Sequence, residues 1–192
     1  MKQILIINGH PDKESYNNAL TDAYTKGANT TRAIVTRINI YDLSFNPNLQ
    51  FGYRLPTELE HDLIDVIEKI KSADHIVWVF PMWWYGYPAI MKGFIDRTFL
   101  PGITFQPVKG NPFPKKLLKG KTSRIIVTAD TPRWYDFLFM KSPTINQFKK
   151  GTLDFCGIGP VKVTYIAPIK NSSASFREKW LNKVSIMGER LK

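Results

Sequence analysis

Runs rich in apolar and β-branched residues, each short enough to be a strand, recur in this chain at residues 3–8, 33–39, 75–80, 123–128 and 161–166. The run Gln3-Ile4-Leu5-Ile6-Ile7-Asn8 is apolar without alternation, as a strand buried on both faces of a parallel sheet must be. Between these runs the period changes to three and four. Residues 17–26 put Ala19, Leu20, Ala23 and Tyr24 on one helical face, and Gly27 follows where a C-terminal cap belongs. In 57–72 the residues Leu59, Leu63, Val66, Ile67 and Ile70 form one stripe. Further helices are expected at 89–99, 143–155 and 175–191, the last carrying Phe176, Trp180, Val184, Met187 and Leu191 on one face. Trp78 and Cys156 fall at core positions, and Lys92, Asp96 and Arg97 are placed for local ion pairs on the third helix.

Strands alternating with helices predict an α/β fold: a five-stranded parallel sheet in the order 2-1-3-4-5, covered by helices on both faces and wound by right-handed crossovers. The whole chain, 1–192, is expected to form one domain. In that order the winding reverses between strands 1 and 3, and ligands bind beyond the carboxyl ends of the strands there. The loops that matter are therefore 9–15, 81–88 and 129–135.

Each of those loops carries unusual chemistry. Loop 81–88 reads Pro-Met-Trp-Trp-Tyr-Gly-Tyr-Pro. Four large aromatics in a turn are out of place on a surface unless they line a site for a planar ligand. Loop 9–15 ends at Ser15, a natural N-cap, so the free amides of the following helix and its dipole make an anion site to which His10, Ser15 and Asn17 can add side-chain bonds. Neither GxGxxG nor GxxxxGK[ST] stands at a strand-to-helix turn, which disfavours a nucleotide-triphosphate machine. Thr128, Asp130, Trp134 and Tyr135 mark the third loop. One elongated pocket, phosphate-binding at one end and flat and aromatic at the other, has the shape of flavin mononucleotide, FMN.

Composition narrows the picture. The net charge of +11 is spread from Lys2 to Lys192, so a solvated basic surface, with a rim that attracts phosphorylated cofactors such as NADPH, is preferred to a nucleic-acid site. One cysteine and three histidines in no metal-ligand spacing argue against a disulfide framework or a metal site. No run approaches the length of a membrane span and no cleavable signal is evident, so a cytoplasmic protein without membrane insertion is expected.

Three segments resemble a known family: Gly9-His10-Pro11 with Ser15-Tyr16-Asn17; Phe80-Pro81-Met82-Trp83-Trp84-Tyr85-Gly86 with Pro88-Ala89-Ile90-Met91-Lys92-Gly93-Phe94-Ile95-Asp96-Arg97; and Gly151-Thr152-Leu153-Asp154-Phe155-Cys156-Gly157. The chain is similar to the flavodoxin-like NAD(P)H:quinone oxidoreductases, the group of DT-diaphorase, the modulator of drug activity and the ancillary subunits of potassium-efflux systems. The resemblance implies that His10, Ser15, Tyr16 and Asn17 contact the flavin phosphate and that Pro81, Met82, Trp83, Trp84 and Tyr85 hold the ring. It implies FMN, or alternatively FAD, with NADPH or NADH as donor. By ping-pong, hydride passes through flavin N5 to a quinone or a nitro- or azo-type acceptor. It also implies a homodimer, for which the aromatics 134–140 are the candidate interface. Relatives carry Thr-Thr-Gly-Gly after the fourth strand, where this chain has Thr128-Ala129-Asp130-Thr131. Tyr135 is left as the candidate acid-base residue. A flavin-binding electron carrier and a regulatory subunit of a potassium-efflux transporter remain the alternative readings.

Overall fold

The computed structural model describes residues 1–191. Five strands pair in parallel: β1 (Gln3–Asn8), β2 (Ile34–Asn39), β3 (His75–Pro81), β6 (Thr122–Thr128) and β7 (Val161–Ile166), in the order β2-β1-β3-β6-β7. This is the expected 2-1-3-4-5 sheet with two more strands in the count. The extra pair is an antiparallel hairpin, β4 (Phe105–Val108) and β5 (Asn111–Lys116), lying outside the sheet. Pro107, Pro112 and Pro114 hid it in the sequence, because proline reads as a strand breaker unless the strand is exposed and unpaired on one side, as these are.

The sheet is buried from both sides by alternate residues of the same strands. Leu5, Ile7, Ile76, Trp78 and Phe80 face one core, with α2 (His61–Ser72), α3 (Ala89–Thr98) and α5 (Pro143–Phe148). Ile4, Ile6, Val77 and Val79 face the other, with α1 (Tyr16–Asn29) and α6 (Ala174–Glu189). Trp78 is fully buried and packs edge-on against Phe148, ring centroids 4.9 Å apart, so its packing role holds. Cys156 is buried as well, and burial pushes its thiol pKa up, away from nucleophilic use. Among the described residues, no helix is long and apolar enough to cross a membrane.

Several boundaries differ from expectation for identifiable reasons. Gly27 does not cap α1, which runs on to Asn29 with Thr30 as its cap. The glycine serves a close crossing instead. A Cβ on Gly27 would lie 1.9 Å from the Ser185 carbonyl oxygen of α6, and one on Gly188 would lie 2.2 Å from that of Tyr24. Helix α2 begins at His61 and not at 57, because Arg97 claims the preceding segment. The Arg97 side chain is 1% exposed, donates to the Asn46 carbonyl at 2.5 Å and to the Glu58 carbonyl, and pairs with Glu60 at 2.9 Å. Gly93 admits Pro47 to the same helix face, where a Cβ would sit 2.6 Å from the Pro47 oxygen. Arg97 is thus a buried clasp for residues 43–60, while the local pair on α3 is Lys92–Asp96, 2.6 Å apart. The helix expected at 143–155 is present, but after α5 it widens into a π-type turn over Lys149–Asp154. A short helix, α4 (Arg133–Leu138), was not expected; its exposed apolar side chains show no inward stripe.

Two outcomes follow. Gly27→Ala should cost about 2–3 kcal/mol in urea unfolding, because both helix backbones must move apart. His75 lies buried at the start of β3, its Nδ1 2.7 Å from Thr122 Oγ1 and its Nε2 without a partner. Burial, reinforced by Lys2, Arg124 and Lys162, pulls its pKa down to about 4. The unfolded state therefore takes up the proton first, so stability is full above pH 6.5 and falls by about 3 kcal/mol as pH drops towards 4. His75→Gln should flatten that part of the stability–pH curve, as followed by denaturant midpoints.

Candidate functional site

The carboxyl ends of β1, β3 and β6 meet at one edge of the sheet, where Pro81 stands level with Thr128. The loops that leave them enclose a cavity of about 390 Å³ lined by His10, Ser15, Tyr16, Asn17, Pro81, Met82, Trp83, Thr128 and Asp130, together with Asp12, Ala129, Ile169 and Lys170. That volume falls in the range of small-ligand sites. Nine residues singled out from the sequence are thus brought together.

One end is built for an anion. Ser15 caps α1 as expected, its hydroxyl accepting from the Asn18 amide at 3.2 Å. The amides of Tyr16 and Asn17, in the first turn, have no partner within the helix. Asn17 is clasped to the end of β6: its amide donates to Thr128 Oγ1 at 3.0 Å, and that hydroxyl can donate back at 3.2 Å. Both side chains are buried, so the helix terminus is fixed to the sheet rather than to a mobile loop. The Asp12 amide donates to His10 Nδ1 at 2.9 Å, which leaves the proton of a neutral ring on Nε2. Burial lowers the His10 pKa against the pull of the Asp12 carboxylate, so the neutral donor is the form held.

The other end is flat and aromatic. Trp83 meets the edge of His10, ring centroids 5.4 Å apart. Trp83 and Gly86 exchange backbone hydrogen bonds of 2.9 Å in both directions, closing a two-residue turn. Its central residues, Trp84 and Tyr85, have φ of 51° and 56°. Positive φ at both positions is the type I′ arrangement, which asparagine and glycine adopt easily and bulky aromatics do not. The turn leaves the amides of Trp84 and Tyr85 outside its own hydrogen bonds. Strain of this kind concentrates where a backbone must present itself to a ligand.

Three candidates lie elsewhere. Trp84 is fully exposed and Tyr85 is half-buried; neither side chain lines the cavity. Tyr135 sits on α4, stacked on Phe139 at 5.2 Å, and does not reach the cavity within the chain. Conversely, Ile169 and Lys170 were not foreseen. They follow β7, next to β6 in the sheet, so the strand order held the signal, but the reversal between β1 and β3 directs the eye to three loops only.

Replacing Trp84 with asparagine should raise the stability of the ligand-free protein by about 1 kcal/mol, since the left-handed backbone is relaxed and no buried contact is lost. A fall in the denaturant midpoint would contradict the strain.

Known proteins share this fold. Smu.1420 from Streptococcus mutans UA159 superposes with a TM-score of 0.83 at 30% identity, covering 98% of this chain and 99% of that one. Ribosyldihydronicotinamide dehydrogenase [quinone] of Pongo abelii is 27% identical over 184 residues, covering 81% of this chain and 77% of the relative. The FMN-dependent NADH-azoreductase from Bacillus anthracis str. Ames Ancestor, solved in complex with FMN, shares the fold with a TM-score of 0.78 at 19% identity, covering 100% of this chain and 99% of that one. The model of the flavodoxin-like fold family matches residues 2–185, and the chain belongs to that family.

Proposed function

We propose that this protein is a flavin-dependent NAD(P)H:quinone oxidoreductase that binds FMN in the cavity between loops 9–15, 81–88 and 129–135. The observation that carries the reading is the union in one cavity of a helix N-terminus with a neutral histidine donor and an aromatic floor at Trp83. Donors at one end suit a phosphate and the apolar end suits a ring system, which is the division of chemistry along FMN. The names of the relatives support the same reading, one acting on quinone and one on NADH with bound FMN. FAD is the alternative cofactor, its adenosine reaching past the phosphate end.

Bound flavin supplies hydride and two-electron chemistry at its ring. This chain's residues bind and orient it. Tyr16 and Asn17 offer amides, and His10 a ring N–H, to the phosphate. Pro81, Met82 and Trp83 would shield the ring from water, and the strained turn would offer it the amides of Trp84 and Tyr85. Such donors, fixed before reaction, favour charge that develops on reduction. NAD(P)H as donor and a quinone, nitro or azo compound as acceptor would be its substrates, used in turn by ping-pong. Tyr135 belongs to the exposed ridge of Trp134, Phe137, Leu138 and Phe139, outside the cavity. The protein works in the cytoplasm as a homodimer that covers this ridge, since exposed aromatic area of this extent marks an interface.

The reading is tested by an anaerobic absorption titration of the FMN-reconstituted protein with NADPH, followed by one addition of quinone. Bleaching of the flavin band and its full return on adding quinone is the expected result. A bound flavin that stays oxidised under NADPH and NADH would indicate the electron-carrier or transporter-regulating alternative instead.

A further inference from the structure

We propose that Lys170 supplies the positive charge that neutralises the phosphate of the bound cofactor, and that Asp130 is a positioning residue that holds the Lys170 loop against the cavity. The inference rests on the flavin reading above and gives the phosphate end its charge balance.

The donors described so far are dipoles. The Tyr16 and Asn17 amides and the neutral His10 ring carry no full charge, whereas a phosphate monoester carries between one and two negative charges near pH 7. Among the residues lining the cavity, the full charges at that pH are the carboxylates of Asp12 and Asp130 and the ammonium of Lys170. Without Lys170, a phosphate would face two carboxylates and no cation.

Both carboxylates are turned to other tasks. Asp12 Oδ1 accepts the Glu14 amide at 2.9 Å and shapes the loop before α1. Asp130 Oδ1 accepts two amides across the sheet edge, from Ile169 at 3.1 Å and from Lys170 at 2.6 Å. The Ile169 amide also donates to the Ala129 carbonyl at 3.1 Å. The segment after β7 is thereby tied to the segment after β6. Asp130, expected from the sequence to touch the cofactor, lines the cavity, and the bonds to its Oδ1 make it a clamp on Lys170.

The tied segment stands at the phosphate end. Arg177 donates through Nη2 to the Ile169 carbonyl at 3.1 Å, and its guanidinium lies 5.8 Å from the centre of the Tyr16 ring. The Tyr16 hydroxyl in turn donates to the Arg177 carbonyl at 2.7 Å. Arg177 thus joins Ile169 to Tyr16, the first residue of α1, and Lys170, next to Ile169 in the chain, lines the same cavity. The Lys170 side chain is exposed, free to swing onto an anion bound there.

The test compares FMN with riboflavin, which has the same ring and ribityl chain and no phosphate. Dissociation constants are measured by flavin fluorescence quenching for the wild type, Lys170→Met, Asp130→Ala and Asp130→Asn. Loss of one charge-assisted contact should weaken FMN about 10- to 100-fold in Lys170→Met and leave riboflavin within about twofold. The salt dependence of FMN binding should flatten in the same variant. Asp130→Ala should weaken FMN in the same sense but less, and Asp130→Asn, which keeps an acceptor for both amides while removing a negative charge, should bind FMN at least as well as wild type. Equal affinity of wild type and Lys170→Met for FMN, or equal losses for FMN and riboflavin, would overturn the role of Lys170 and leave the flavin reading standing. Asp130→Asn failing as badly as Asp130→Ala would overturn the clamp. A wild type that binds neither FMN nor riboflavin would overturn the flavin reading and this inference with it.

Discussion

The whole arrangement depends on one constraint: a parallel sheet can be buried on both faces only if each crossover helix returns the chain to the same end. With β1 and β3 adjacent and winding reversed between them, helices depart to opposite faces and a crevice opens at the carboxyl edge. No residue of the cavity could be placed without that edge. The cost of the arrangement is close contact on the outside of the sheet, and the chain meets it with small residues. Gly27 and Gly188 let α1 and α6 cross backbone to backbone on the outer side of the sheet. The same helix α1 brings Ser15, Tyr16 and Asn17 to the crevice at its other end.

Much of this was legible in the sequence because the sheet is so apolar. Residues 3–8 and 75–80 admit no other reading than strands sealed on both sides, and alternating helical stripes then leave one topology. The cavity residues followed by position alone: once the strand ends are known, His10, Ser15, Asn17, Trp83 and Thr128 must stand near one another. What escaped reading shares a physical cause. Arg97 pulls residues 57–60 out of a helical pattern through contacts with Asn46 and Glu58, far away in sequence, and tertiary bonds of that kind override a local stripe. Helix α4 was illegible because its apolar residues face outward, so the rule that reads helices from an inward stripe has nothing to detect. The hairpin of β4 and β5 failed for the same reason in another form, since its strands are exposed and rich in proline.

Asp130 shows the limit of reading a site by proximity. The sequence put it in the right loop, and the cavity includes it, while its Oδ1 accepts the amides of Ile169 and Lys170. A carboxylate facing an anion site is unfavourable unless its charge is balanced, and amide donors only partly do so. The resemblance leads one to expect glycines here, which let a backbone approach a ligand closely but bind no neighbouring loop. An aspartate at this position exchanges that close approach for a crosslink between the loops after β6 and β7, and the crosslink carries a lysine with it.

The two ends of the cavity therefore hold their donors by opposite means. At the α1 end, Ser15, the clasp of Asn17 on Thr128, and the His10 ring fixed by the Asp12 amide hold their groups in relaxed geometry, so little energy is stored there. At the aromatic end, Trp84 and Tyr85 are held at positive φ, a conformation that on the order of 1–3 kcal/mol disfavours at each residue. The turn persists because its reciprocal bonds between Trp83 and Gly86, and the bond of 2.7 Å from the Met82 amide to the Thr128 carbonyl, anchor both of its sides. The Trp84 side chain gives no folding advantage, since it buries nothing in the isolated chain. Its presence is accounted for by what the turn exposes, two directed amides beside a ring surface, and a rigid strained turn presents those donors without having to order them when the ligand binds.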